Sequence, residues 1–200
     1  MQWESSEPAD VLRGIWDKLR EGVTDRRSTM RTPTLITMRG GEATARTVVL
    51  RAADESARVM TCHTDARSGK VAEIRMNPCV SWHIYDPAEK VQLRIRAHAE
   101  VITSGPDHER IWRQTQLMAR RCYMIEPGPG QEVAVESTGL PEYLVERTPT
   151  EEESVAGLPH FAVVRTIIDE IEWLYLRALG HRRIRFRWDG SSWSSAWLIP

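Results

Sequence analysis

The spacing of apolar positions changes character once the N-terminal segment ends. Within residues 7–20, Val11, Leu12, Ile15, Trp16 and Leu19 recur at helical spacing, which predicts an amphipathic helix. Beyond it the period becomes two. Residues 33–39, 43–51 and 57–62 read as short strands, with Gly40-Gly41 as a tight hairpin turn between the first two. Asp65 is placed to cap a helix over about 66–76, carrying Val71, Ala72, Ile74 and Arg75, and Asn77-Pro78 ends it. A strand at 79–85 follows. The clearest alternation lies in 91–101, where Val91, Leu93, Ile95, Ala97, Ala99 and Val101 alternate with Gln92, Arg94, Arg96, His98 and Glu100, so one face is core and the other polar. Pro106 opens a helix over about 106–121. Strands at about 161–176, 182–188 and 193–199 close the chain, with Asp189-Gly190 marking the last hairpin.

Many consecutive strands with alternating faces, two short interior helices and no regular β-α-β alternation predict a mostly β protein with peripheral helices. An antiparallel barrel fits this order better than a doubly wound sheet. No internal repeat is visible, and a single domain spanning residues 1–200 is expected. The segment 126–160 stands apart. It holds five of the eleven prolines and four of the twelve glycines and reads as a long excursion with little regular structure.

Composition narrows the picture further. With 200 residues, 41% apolar and 28% charged, the chain is an ordinary globular protein with one substantial core or at most two small ones. No window approaches the roughly 18 consecutive apolar residues of a membrane span. Glu4, Glu7, Asp10, Arg13, Asp17, Lys18 and Arg20 occupy the region where a secretory signal is apolar, so a cytoplasmic location is expected. Cys62, Cys79 and Cys122 are odd in number and widely spaced, which indicates three buried, reduced thiols rather than a disulfide framework or a structural zinc. His63 and His83 fall on predicted strands taken as neighbours, but a third ligand is missing and no metal is expected. No Ser–His–Asp order or glycine-flanked nucleophile supports hydrolase chemistry.

The net charge of −1 conceals an asymmetry: residues 126–160 carry eight acidic residues against Arg147 alone, a net of −7, and the remainder is +6. Arginine outnumbers lysine 24 to three, a bias that suits bidentate binding of phosphate or carboxylate and that GC-rich codon usage also produces. There is no dense basic run and no basic stripe interleaved with aromatics, so a small phosphorylated ligand fits the excess better than nucleic acid. The place to hold one is Thr64-Asp65-Ala66-Arg67-Ser68-Gly69-Lys70, between a strand and a helix, where backbone N–H groups and the helix dipole receive an anion. Arg67, Ser68 and Lys70 add a guanidinium, a hydroxyl and an ammonium. On the preceding strand Arg46 and Arg51 lie five apart and therefore on opposite faces, one toward a ligand and one away from it.

These stretches together resemble the pyridoxamine 5′-phosphate oxidase-like FMN-binding split barrels. The matching elements are Arg46-Thr47-Val48-Val49-Leu50-Arg51, His63 through Lys70, the helix ending in Asn77-Pro78, Val91-Gln92-Leu93-Arg94-Ile95-Arg96, His181-Arg182-Arg183-Ile184-Arg185-Phe186 and the terminal Trp197-Leu198-Ile199-Pro200. They agree in order over about 30–104 and 161–200. The resemblance implies a split β-barrel, antiparallel and Greek-key-like, forming a homodimer with FMN in clefts at the subunit interface. It implies that Arg46 reaches the phosphate while the backbone of Thr47, Val48 and Val49 lies near the flavin ring. Thr64, Arg67, Ser68 and Lys70 would hold the phosphate, and Gln92 would contact the ring. Arg185, Arg183 and Trp173 match C-terminal residues that reach the cofactor, usually from the other subunit. Arg51, His63 and Arg121 are expected near the cleft, and no catalytic acid or base is identified.

The departures bear on the substrate. The family's phosphate loop carries an Arg-Lys pair directly after Ser, whereas here Gly69 separates Ser68 from Lys70 and Arg67 precedes the Ser; Arg67 is the candidate substitute. Arg51 stands where the family has a substrate-contacting Lys. Arg110, Gln114 and Met118 stand approximately where genuine oxidases place a Tyr, an Arg and a Ser on the vitamin phosphate, and His181-Arg182-Arg183-Ile184 lacks the Arg-x-His arrangement for pyridoxal. The resemblance thus implies an FMN-dependent oxidoreductase acting on a small substrate other than the B6 vitamer. The alternative is a binding protein for flavin, deazaflavin or haem that does not turn over.

Overall fold

The structure, a computed structural model, describes residues 3–200. Helix α1 (Pro8–Thr24) leads through a single 3-10 turn (Thr29–Arg31) into β1 (Thr34–Arg39), β2 (Glu42–Thr47), β3 (Leu50–Asp54) and β4 (Val59–Asp65). Then come α2 (Gly69–Met76), β5 (Cys79–Asp86), β6 (Val91–Ile102), α3 (Pro106–Gln114), α4 (Leu117–Arg120) and α5 (Glu151–Ser154). The chain ends with β7 (Phe161–Tyr175), β8 (Arg182–Trp188) and β9 (Trp193–Leu198). The nine strands form one sheet in the order β2-β1-β5-β6-β7-β4-β3, from which β8 branches at β7 and carries β9 on its far edge. The mostly β, antiparallel architecture with a few helices is as expected. The sheet itself is not closed: its path ends at β2 on one side and β3 on the other.

Two compact units make up the chain. The first is the chain up to Cys62 with Asn77–Ala99 and Arg165–Pro200; the second is His63–Met76 with Glu100–Val164. In the first, α1 buries Val11, Ile15, Trp16 and Leu19, the stripe that its sequence period marks out. Removing each from water contributes on the order of 1.5–3 kcal/mol. Gly40 and Gly41 adopt φ of +56° and +93°, the left-handed pair that a two-residue turn between β1 and β2 requires. Trp82 Nε1 donates to Thr166 Oγ1 at 3.1 Å, and that hydroxyl donates to the Met60 carbonyl at 2.9 Å, so a buried polar relay is satisfied end to end. In the second unit Trp112, Tyr123, Phe161 and Val163 form a separate core with Ile102, Ile111 and Leu158 at its margin. His108 is buried beside it and shares a 2.9 Å hydrogen bond with the Phe161 carbonyl.

Three sequence expectations are corrected. The run 43–51 is two strands: β2 pairs with β1, β3 pairs with β4, and Val48 turns inward between them with its N–H on the Pro33 carbonyl at 3.0 Å. The argument that Arg46 and Arg51 lie on opposite faces of one strand therefore lapses. The helix expected over 106–121 breaks after Gln114, where Thr115 bonds its hydroxyl back to the Ile111 carbonyl and its own carbonyl accepts from Arg120 Nε. His63 on β4 and His83 on β5 are not on neighbouring strands, since β6 and β7 intervene in the strand order.

The acidic segment is short on regular structure, as its composition predicts, yet it is anchored. Its helical pieces are a turn at Glu142–Leu144, α5, and a 3-10 stretch at Val155–His160. Arg120, almost fully buried, donates to Glu151, Ser154 and the carbonyls of Trp112, Arg113 and Thr115, while Arg121 donates to the carbonyls of Leu144 and Val145.

Candidate functional site

In the second unit the turn entering α2 gathers the predicted anion-binding side chains. Lys70 Nζ donates to Thr64 Oγ1 at 2.8 Å and to Ser68 Oγ at 3.2 Å, and the two hydroxyls are 3.2 Å apart. Thr64 and Ser68 are buried. One ammonium and two hydroxyls converge at the N-terminal end of an eight-residue helix, where the helix dipole is positive. This donor set suits the oxygens of a phosphate monoester. The Ser68 N–H closes the turn on the Asp65 carbonyl at 3.1 Å. Asp65 does not cap α2 directly: its carboxylate accepts the Arg67 backbone N–H at 2.8 Å.

Arg67 does not join the trio. Its Nε and Nη2 lie 3.0 and 2.8 Å from the Asp65 carboxylate, its Nη1 lies 2.8 Å from Glu126 Oε1, and its Nη2 also donates to the Ile125 carbonyl at 3.0 Å. These bonds, Asp65 first, raise the guanidinium's pKa further. Gly128 packs so closely that a Cβ there would sit 3.1 Å from Arg67 Nε. The start of the acidic segment is thus folded over Arg67, and the backbone N–H of Ala66 is held by the His160 carbonyl at 2.7 Å. His63, on the strand leading into this turn, sets its ring edge-on to Phe161 at 4.9 Å. An open pocket of about 490 Å³ lined by Glu142, Tyr143, Val145, Glu146 and Arg147 includes none of the predicted site residues.

In the first unit Arg46, on β2, is held by the Leu35 carbonyl at 3.3 Å, by Thr37 Oγ1 and by Thr44 Oγ1 at 2.9 Å. Thr47 ends β2, Val48 is buried, Val49 is half-buried, and Arg51 on β3 is half-buried with its Nε sequestered and without a hydrogen-bond partner among the described residues. Gln92 is half-buried near the start of β6, opposite Tyr85. Arg183 and Arg185 lie on β8 beside two carboxylates of β7. Glu172 binds Arg94 and, at 2.9 Å, Arg183 Nη2; Glu170 lies between Arg96, Arg185 and Arg187. Burial opposes ionisation of Glu172, but the hydrogen bonds from Arg183 and Arg94 outweigh it and hold its pKa below the ordinary value. Trp173 is fully buried, with Trp3 and Tyr175 at centroid distances of 5.7 and 5.8 Å.

Residues 14–103 match the family model described as pyridoxamine 5′-phosphate oxidase, FMN-binding domain. The chain resembles the pyridoxamine 5′-phosphate oxidase-like family. The matched segment contains Arg46, Thr47, Val48, Val49, Arg51, His63, Thr64, Arg67, Ser68, Lys70 and Gln92, while Trp173, Arg183 and Arg185 lie outside it. Solved structures of the family's fold extend the likeness to the whole chain. A pyridoxamine 5′-phosphate oxidase-related, FMN binding protein from Nostoc punctiforme superposes with a TM-score of 0.76 at 24% identity, over 98% of this chain and 100% of that one. PhzG from Burkholderia lata, crystallised with tetrahydrophenazine-1-carboxylic acid, gives a TM-score of 0.70 at 18% identity, over 99% and 95%. At these identities the likeness establishes the fold. A search of curated proteins returned no significant match. No helix among the described residues is long and apolar enough to cross a membrane.

Sequence reasoning thus brought Thr64, Ser68 and Lys70 to one point and tied Arg183 and Arg185 to their surroundings only loosely. It missed Asp65 and Glu126 as the partners of Arg67. An Asp two residues before an Arg in a turn was a usable signal for the first; nothing local signals the second, which is 59 residues away.

Proposed function

We propose that this protein is an FMN-dependent oxidoreductase of the pyridoxamine 5′-phosphate oxidase-like type, working as a homodimer of split barrels with FMN bound where the subunits meet. The observation that carries this reading is the convergence of Thr64, Ser68 and Lys70 at the entry to α2, inside the segment that matches an FMN-binding domain. When bound, FMN supplies the redox chemistry by accepting a hydride equivalent from a small substrate or a reduced nicotinamide. The residues of this chain supply position and charge. Lys70 neutralises the phosphate, Thr64 and Ser68 orient it, Gln92 offers an amide to the polar edge of the ring, and Arg46, Arg51, Arg183 and Arg185 provide positive potential toward an anionic ligand.

The substrate is a small molecule other than the B6 phosphate ester. In place of the family's vitamin-phosphate ligands stand Arg110, which is tied to Asp107 at 2.9 Å, and Gln114 and Met118, both exposed. The test is an absorbance spectrum of the purified protein with and without added FMN, followed by turnover assays. Pyridoxine phosphate, reduced nicotinamides and tetrahydrophenazine-1-carboxylic acid are the first substrates to try. Stoichiometric FMN with turnover of a compound other than pyridoxine phosphate supports the proposal. Failure to take up FMN overturns it, efficient oxidation of pyridoxine phosphate overturns the substrate assignment, and FMN binding without turnover of any candidate favours a binding protein.

A further inference from the structure

On the polar face of β6, six residues beyond Gln92, a second constellation of reactive groups comes together. At about 3.3 Å per strand residue it stands roughly 20 Å from Gln92. Cys79 opens β5 and is the register partner of His98 on β6, which places their side chains side by side on one face. Cys79 Sγ is 3.7 Å from His98 Nε2. On the other side of the ring, His98 Nδ1 is 2.6 Å from Asp169 Oδ2, carried by β7, the next strand of the sheet. The carboxylate accepts the Nδ1–H, and this fixes the tautomer so that the Nε2 lone pair faces the sulfur. Nucleophile, base and orienting acid thus stand in the sequence of contacts that activates a thiol.

The surroundings hold the sulfur in place and leave it accessible. The Cys79 N–H donates to Asn77 Oδ1 at 3.0 Å, and the Pro78 carbonyl accepts from the Ala99 N–H at 2.8 Å, so the turn before Cys79 is pinned to the residue after His98. Cys79, His98 and Asp169 all reach solvent, with side-chain exposures of 61% for His98 and 41% for Asp169. The charged residues flanking His98 at two positions on its own strand are Arg96, whose guanidinium lies 3.8 Å from Glu170 on β7, and Glu100. The other cysteines lack this setting: Cys62 is fully buried, as the sequence suggests for all three, whereas Cys122 is exposed, as Cys79 is, but has no histidine within hydrogen-bond reach among the described residues.

We propose that Cys79, with His98 as its base and Asp169 as a positioning residue, is a nucleophilic thiol site for soft carbon electrophiles such as α,β-unsaturated carbonyl compounds. As Sγ attacks the β-carbon, the thiol proton passes to His98 Nε2 and the S–C bond forms. The π electrons of the C=C bond move toward the carbonyl, and the proton on His98 then returns to the α-carbon. The net result is addition of S–H across the double bond, with nothing expelled and no outside oxidant or reductant. The site is independent of the flavin proposal and is read by a different measurement.

The experiment treats the full-length protein with limiting N-ethylmaleimide near neutral pH and follows adduct formation at each cysteine by peptide mass spectrometry. Cys79 is expected to react about tenfold or more faster than Cys122. His98→Gln and Asp169→Asn are each expected to bring Cys79 down to the rate of Cys122 and to give it the pH profile of an ordinary thiol, with melting temperatures showing that both variants fold. Equal rates at Cys79 and Cys122 in the unaltered protein, or an unchanged Cys79 rate in a folded His98→Gln variant, overturns the proposal.

Discussion

Lys70 Nζ stands 2.8 Å from Thr64 Oγ1, an ammonium resting on a buried hydroxyl. Lys70→Ala is expected to weaken FMN binding by about 10–100-fold, the effect of losing one charge-assisted hydrogen bond of roughly 1.5–3 kcal/mol. Fluorescence titration with FMN reads it.

Arg67 is expected to behave in the opposite way. Its guanidinium is committed to Asp65, whose side chain is only 6% exposed, and to Glu126. Arg67→Ala leaves the Asp65 carboxylate buried without its partner and should cost about 1–3 kcal/mol of stability in denaturant titrations. Arg67→Lys should restore little of it, since the contact with Asp65 is bidentate through Nε and Nη2, a fork that an ammonium lacks.

Glu172 makes stability depend on acidity. Its pKa in the folded protein lies below the ordinary 4.5, so its contribution is complete above that value and is lost as pH falls through the depressed one. Glu172→Gln is expected to lower the melting temperature at neutral pH, and the gap from the unaltered protein should narrow as the pH is taken below about 4. Melting curves recorded between neutral and acidic pH test this.

The Trp82–Thr166–Met60 relay yields a prediction about the core. Thr166→Val preserves the shape but removes both the acceptor for Trp82 Nε1 and the donor to the Met60 carbonyl. Stranding two buried polar groups should cost about 1–3 kcal/mol, visible as a lowered denaturation midpoint with an unchanged slope.

What the sequence made legible follows from where each feature's cause lies. The α1 stripe, the Gly40-Gly41 turn and the alternation of β6 are written locally, because each depends on neighbours within one turn or one strand. So is the meeting of Thr64, Ser68 and Lys70, which share a single turn. The break at Val48 was not legible, because a change of strand partner leaves a continuous β-branched run untouched. The engagement of Arg67 by Glu126, and the line from Cys79 through His98 to Asp169, join residues 59, 19 and 71 positions apart, which only the strand order and the return of the acidic segment bring together.

The central claim is that the Thr64–Ser68–Lys70 trio binds the phosphate of FMN, and comparing FMN with riboflavin on the same protein tests it most directly. The two ligands share a ring and differ in the phosphate. Equilibrium titration is expected to show about one FMN per chain, with riboflavin at least roughly tenfold weaker, the difference one phosphate contact sustains. It should also show that Lys70→Ala removes most of that preference. Equal affinity for the two ligands, or no binding of FMN, would contradict the account.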